Sequence, residues 1–274
     1  MSTGSTIVDR RAGEGVAVGR RLAGSRPASV KAWLPFSTAD SSTPRLYCLP
    51  HAGGGASAYR GWIQFLAGEI DVAPLQPPGR EMRFREQPHL STGPMVAELL
   101  EVLEEHTSGP YALFGHSMGA LVAFELARAV ERSGLPKPQH LFVSGRGAPD
   151  RAPRGPRLYA LPDGALAEEL VALDPSSKVL LDAEMRAHFL PSIRADLVLN
   201  ETYRFQPAPP LSIPITALCG SADPRVPVVD AAGWGDHTTA AFRLQVLPGG
   251  HFFLVDQRDA LLDILRDTVN RASP

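Results

Sequence analysis

One segment constrains the fold more than any other. Between Tyr111 and Ala127 the chain reads YALFGHSMGALVAFELA, an apolar strand-like run that turns within a few residues into a run with helical spacing. The turn carries Gly115, Ser117 and Gly119 in G-x-S-x-G spacing. A strand that turns this sharply into a helix pushes the serine out above the end of a sheet. The flanking positions must then be glycine, because side chains there would collide with neighbouring backbone.

The rest of the chain repeats the alternation. Strand-like runs fall at Arg45–Leu49, Asp71–Leu75, Tyr111–Phe114, Leu141–Ser144, Ile213–Cys219 and Phe242–Leu247. Helical patterns fall between and after them, at Tyr59–Leu66, Gly93–Glu105, Gly119–Arg132 and Gln257–Asn270. In the second of these, Met95, Leu99, Leu100 and Leu103 share a face. Such alternation predicts an α/β fold with a mostly parallel central sheet covered by helices on both faces. One stretch departs from it. From about Leu161 to Tyr203 only helical patterns occur, with Leu166, Leu170 and Leu173 on one face and Met185, Phe189, Ile193 and Leu197 on another. This predicts a helical lid inserted at about 155–205, whose apolar faces either line an acyl channel or pack on one another. Residues 1–29, rich in Gly, Ser, Arg and Ala without periodicity, are expected to be a disordered extension preceding a folded unit at 30–274.

The strand–turn–helix around Ser117 is the nucleophile elbow of the α/β-hydrolase fold, in which the chemistry follows the chain order serine, acid, histidine. A serine hydroxyl needs a base. His251, in VLPGGHFFL, follows the last strand and precedes the last helix, and Gly249 and Gly250 let its loop bend toward the serine. His116 is too near Ser117 in sequence for that task and reads as a packing or hydrogen-bonding residue. His89, His106, His140, His188 and His237 have no motif around them. The acid orients the imidazole and balances its charge. Asp223, in ITALCGSADPRVP, is favoured over Asp150 in the proline-rich, basic APDRAPRGPR. For the oxyanion, the backbone amide of Met118 follows the nucleophile, and Ala52 in PHAGGGASAY supplies a second. A phosphate-binding loop is disfavoured there, because the glycines are not followed by Lys-Ser or Lys-Thr.

Composition narrows the function classes. The net charge of −2 gives no electrostatic case for nucleic acid or an anionic membrane. No apolar run reaches the length of a membrane span, and the basic N-terminus lacks an apolar signal core. A cytoplasmic monomer is the default expectation. Cys48 and Cys219 sit in apolar strand-like runs and are expected to be buried free thiols. Arg146, Arg151, Arg154 and Arg157 form a small basic run, read first as a solvated loop and alternatively as a contact for phosphate or an acidic partner.

Several motifs together resemble the stand-alone type II thioesterases of polyketide and non-ribosomal peptide synthesis. They are LPHAGGGASAY at Leu49–Tyr59, PPGRE at Pro77–Glu81, FGHSMGA at Phe114–Ala120, LPSIRADLVLNETYRF at Leu190–Phe205, GSADP at Gly220–Pro224 and PGGHFFL at Pro248–Leu254. The resemblance runs from about Arg45 to Asn270. It implies Ser117, Asp223 and His251 as the catalytic residues, with the amides of Met118 and Ala52 as the oxyanion hole. It further implies an editing enzyme that clears stalled acyl groups from the phosphopantetheine arm of acyl or peptidyl carrier proteins, with no metal or redox cofactor. A carboxylesterase or lipase acting on oxygen esters, and a scaffold that only binds a carrier protein, are the competing readings.

Overall fold

The long apolar runs become strands, and the strands pair side by side in one direction. The computed structural model describes residues 30–36, 43–151 and 154–272, so the expected extension at 1–29 lies outside the described residues. In chain order the elements are α1 (Val30–Trp33), β1 (Arg45–Leu49), α2 (Arg60–Phe65), β2 (Asp71–Pro74), α3 (Thr92–His106), β3 (Tyr111–His116), α4 (Met118–Ser133), β4 (His140–Ser144), α5 (Asp163–Leu173), α6 (Ala183–Glu201), β5 (Ile215–Gly220), α7 (Val228–Ala232), β6 (Phe242–Leu247), α8 (Phe253–Asp256) and α9 (Arg258–Ala272). The strands form one six-stranded sheet in the order β2-β1-β3-β4-β5-β6, every pair parallel. No helix of the described residues is long and apolar enough to cross a membrane.

Strand periodicity divides the core in two. Tyr47 and Leu49 point to one face, where α3 and α4 bring Leu99, Leu103, Val122 and Leu126. Leu46 and Cys48 point to the other, where α2 and α9 bring Trp62, Leu261, Leu262 and Leu265. Every residue of β1, β3, β4 and β5 is buried, as expected for strands covered on both sides. The edge strand β6 is only partly covered. Cys48 and Cys219 are buried free thiols.

The structure moves some expected boundaries. The strand expected to end at Phe114 continues to His116, because Gly115 still pairs with Leu49 and Val143, and His116 with Ser144. The strand expected from Ile213 begins at Ile215; Leu211, just upstream, makes only an isolated bridge to Thr238. Between β4 and β5 the chain folds as helices alone. Asp174 and Asp182 cap the start of the turn Pro175–Leu181 and of α6 respectively, the first accepting the amide of Ser176 and the second those of Glu184 and Met185. The insertion has its own small core of Leu158, Leu166, Leu180, Leu190 and Leu197.

Because all strands run one way, their carboxyl ends share one edge, and the loops after β1, β3, β4, β5 and β6 emerge together there. The tightest point on that edge is the turn from β3 to α4. Ser117 adopts φ 55° and ψ −113°, a left-handed backbone that only surrounding structure can hold in place. A methyl group on Gly115 would lie 2.1 Å from the carbonyl oxygen of Gly119, and one on Gly119 would lie 2.2 Å from that of Leu49. Both obstacles are backbone atoms, which cannot rotate away. Gly119→Ala is therefore expected to lower stability by on the order of 3 kcal/mol and the melting temperature by roughly 6–12 °C. A melting curve matching wild type would contradict this packing.

Candidate active site

The elbow lifts the Ser117 hydroxyl to the sheet edge, and the loop after β6 brings a histidine to meet it. His251 Nε2 lies 3.1 Å from Ser117 Oγ, and its Nδ1 lies 2.8 Å from Asp223 Oδ2. A carboxylate oxygen can only accept, so Nδ1 carries the proton and donates it to Asp223. Nε2 is left as the acceptor for the serine hydroxyl. The side chain of Asp223 is fully buried, and its second oxygen accepts the amides of Arg225 at 2.8 Å and Val226 at 3.2 Å. The carboxylate is thus fixed on both oxygens before it touches the imidazole. Asp150, the other candidate acid, lies away from this chain of bonds, 3.1 Å from His237 Nε2.

Met118 follows the serine at the start of α4, and Ala52, in the loop after β1, lines the same pocket as Ser117. Neither amide is engaged in a hydrogen bond within the described residues. Three neighbouring amides of the glycine loop are taken. Gly53 donates to Asp196 Oδ2 at 2.7 Å, Gly54 to His51 O at 3.0 Å, and Ala56 to Gln76 Oε1 at 2.9 Å. This is the arrangement of a loop locked by protein groups; a phosphate cradle would leave those amides open. The lock is shared with the helical insertion. Asp196, on α6, also accepts a forked pair of bonds from Arg80, and Arg80 reaches the carbonyl of Gly54. Both charged side chains are buried. One ion pair therefore ties α6, the PPGRE segment and the loop carrying Ala52 to each other.

The family matched by the sequence is described as the thioesterase domain, over residues 44–269. The chain belongs to the thioesterase domain family. It is 37% identical over 257 residues to the thioesterase PikA5 of Streptomyces venezuelae, covering 91% of each. It is 39% identical over 243 residues to the protein of Brevibacillus parabrevis named linear gramicidin dehydrogenase LgrE, covering 86% of this chain and 92% of that one. Among solved structures, the type II thioesterase BorB from the borrelidin biosynthetic cluster is 40% identical with a TM-score of 0.77, over 89% of this chain and 97% of that one. Membership makes the chain a hydrolase acting on thioesters, built on the α/β-hydrolase fold.

The thioesterase holds a pocket of about 620 Å³ above Ser117 and His251. Leu170 and Leu173 of α5 and Phe189, Ile193 and Leu197 of α6 line it, while Leu166 packs within the insertion. Both expectations for these faces hold in part. Met185, expected with them, is exposed. The basic run is not a uniformly solvated loop. Arg154 pairs with Asp230 and Arg157 donates to the carbonyl of Glu201, but Arg146 lies in the pocket wall. His188, without a motif in the sequence, stacks on Phe84 at 4.6 Å, and both line the pocket.

Sequence reasoning left His51, Gln76, Arg80 and Asp196 without a role. The last two stand inside motifs quoted for the resemblance, so an aspartate beside the apolar positions of a helix and an arginine shortly after a double proline were the available signals. Among the described residues, no group of three or more His, Cys, Asp or Glu side chains is placed to hold a metal ion.

His51, His116 and His251 cluster at the sheet edge. The rings of His116 and His251 are 5.3 Å apart, and those of His51 and His116 are 6.2 Å apart. Burial, with the proximity of His251, pulls His51 down to about 4 and His116 well below the ordinary histidine value. Burial likewise lowers His140, on β4, to about 4.

Two outcomes follow from this geometry. Asp196→Ala strands the buried Arg80 and frees the Gly53 amide, so stability should fall by about 3–5 kcal/mol in urea unfolding, with slower thioester hydrolysis. A loss below about 1 kcal/mol would show that the ion pair does not organise the loop. The depressed histidines set a pH dependence. Above their unfolded value of 6.5 they are neutral in both states and contribute no slope. Between 6.5 and about 4 the unfolded chain takes up protons that the folded chain refuses, so stability falls as pH falls. The urea midpoint should therefore be lower at pH 5 than at pH 7, and an unchanged midpoint would contradict it.

Proposed function

We propose that the chain is a type II editing thioesterase, hydrolysing stalled acyl groups from the phosphopantetheine arm of acyl or peptidyl carrier proteins through a serine acyl-enzyme. The observation that carries this reading is the unbroken line of hydrogen bonds from Ser117 through His251 to Asp223, lying at the floor of an acyl-sized pocket. Solved relatives named for combined non-ribosomal peptide and polyketide pathways, ClbQ and YbtT, support the choice of carrier-bound substrate.

In the first half, His251 Nε2 takes the Ser117 proton as Oγ attacks the thioester carbonyl. The oxyanion forms between the amides of Met118 and Ala52, which are fixed before substrate arrives. Collapse of the tetrahedral species breaks the carbon–sulfur bond, and His251 returns its proton to the departing thiolate. In the second half, water enters by the same route and frees the acid. Asp223 keeps the imidazole in one tautomer and balances its transient charge. The engaged amides at Gly53, Gly54 and Ala56 speak against nucleotide-phosphate binding at the glycine loop, and so for hydrolysis over the redox activity in the name of the Brevibacillus relative.

Thiol release from acyl-pantetheine and acyl-carrier substrates tests this directly. Ser117→Ala should lower kcat by four or more orders of magnitude, roughly, and Asp223→Asn by about three to four, with Asp150→Asn close to wild type. Turnover of matched oxygen esters without thioester cleavage would replace the reading with a general esterase. Silence on both substrates would leave a carrier-binding scaffold.

A further inference from the structure

The pocket wall holds several arginines, and all but one have an answering charge. Arg80 pairs with Asp196, Arg154 with Asp230 at 2.6 Å, and Arg225 with Glu201 at 3.6 Å. Arg151 stands 3.9 Å from Asp150 and 4.0 Å from Asp236. Arg146 faces no carboxylate among the described residues. Its Nη1 donates to the neutral amide oxygen of Asn200, its Nε is buried without a partner, and its Nη2 makes no hydrogen bond among those residues. Burial draws the guanidinium down only to about 10, so it remains a cation at neutral pH. A largely buried cation with no counter-charge is costly unless something else completes it.

Its place in the fold says what could. Arg146 is two residues beyond Ser144, whose carbonyl accepts the amide of Ser117 itself at 2.7 Å. Trp234 Nε1 pins the Arg146 carbonyl at 2.9 Å, and Asn200 holds the side chain from α6. The guanidinium is thus held between the loop after β4 and α6, in the wall of the pocket that Ser117 also lines. A phosphate at the far end of an extended pantetheine arm is separated from the thioester by two amide units, which puts it at the pocket mouth. An anion that meets a cation inside the pocket lined by Ser117 is instead part of the acyl group.

We infer that Arg146 forms a carboxylate subsite, so that this thioesterase selects acyl thioesters carrying a second, free carboxylate: half-thioesters of short dicarboxylic acids. The guanidinium fork suits a carboxylate by two parallel bonds. The inference rests on the thioesterase reading above and adds the acyl class to it.

The test compares S-glutaryl-N-acetylcysteamine with its methyl ester, which has nearly the same shape but no charge. Wild type should favour the free carboxylate in kcat/KM by about tenfold or more, the size of one charge-assisted hydrogen bond. Arg146→Gln should bring that ratio to about one, and Arg146→Lys should restore part of it. A wild-type ratio near one, or an equal loss on both substrates in the glutamine variant, overturns the subsite. A gain that instead follows acyl-phosphopantetheine over acyl-pantetheine, and vanishes in Arg146→Gln, assigns the cation to the arm's phosphate and also overturns it. Should the variants not fold, free glutarate should inhibit wild type about tenfold better than monomethyl glutarate; equal inhibition refutes the proposal. If wild type cleaves no thioester at all, the proposed function fails separately, and the same pair of acids compared for protection against thermal unfolding still decides the subsite.

Discussion

The contact between the elbow and the end of β1 is the constraint on which the site depends. Gly119 packs so closely on the carbonyl of Leu49 that no side chain fits between them, and Gly115 faces Gly119 across the turn. That closeness forces the left-handed backbone at Ser117 and aims its hydroxyl outward. It also brings the end of β1 beside the first turn of α4, so Ala52 and Ser117 line one pocket. Parallel pairing does the rest. Since all strands end at one edge, residues from distant parts of the chain, Asp223 after β5 and His251 after β6, reach the same point without any long loop.

Buried charge is used at this edge to fix backbone. Asp196 accepts from both Gly53 and Arg80, so a helix of the insertion and the glycine loop hold a single arrangement. A flexible loop of glycines would otherwise lose its order each time the pocket filled or emptied. The same ion pair makes α6 in the pocket wall and the loop carrying Ala52 mechanically one unit. The neighbouring histidines work by the opposite device. Packed together and desolvated, His51 and His116 stay neutral, so the imidazolium that the proposed mechanism forms at His251 would meet no fixed positive rings.

Much of this was legible in the order of residues. The alternating runs specified a parallel α/β sheet, and the helical stretch between the fourth and fifth strands was visible as a break in that alternation. Ser117, Asp223, His251, Met118 and Ala52 were each nominated by a local signal: a strand–turn–helix, a loop after a strand, or a glycine run. Other parts left no such signal. Arg146 stood in a basic run that reads as solvated, and its burial depends on α6 and Trp234 closing over it. Arg80 and Asp196 are 116 positions apart, too far for spacing to connect them. His51 lay within a recognised motif yet had no assigned part, because its neighbours His116 and Phe252 come from the end of β3 and the loop after β6.

The sequence by itself determined the sheet, the elbow and the identity of the groups beside the serine, because periodicity and steric exclusion act over a few residues. Tertiary structure alone decided which aspartate meets His251, which arginines find a carboxylate, and which histidines are kept neutral. Those choices depend on desolvation and on distances between separate elements, and neither quantity exists until the helices have packed on the sheet.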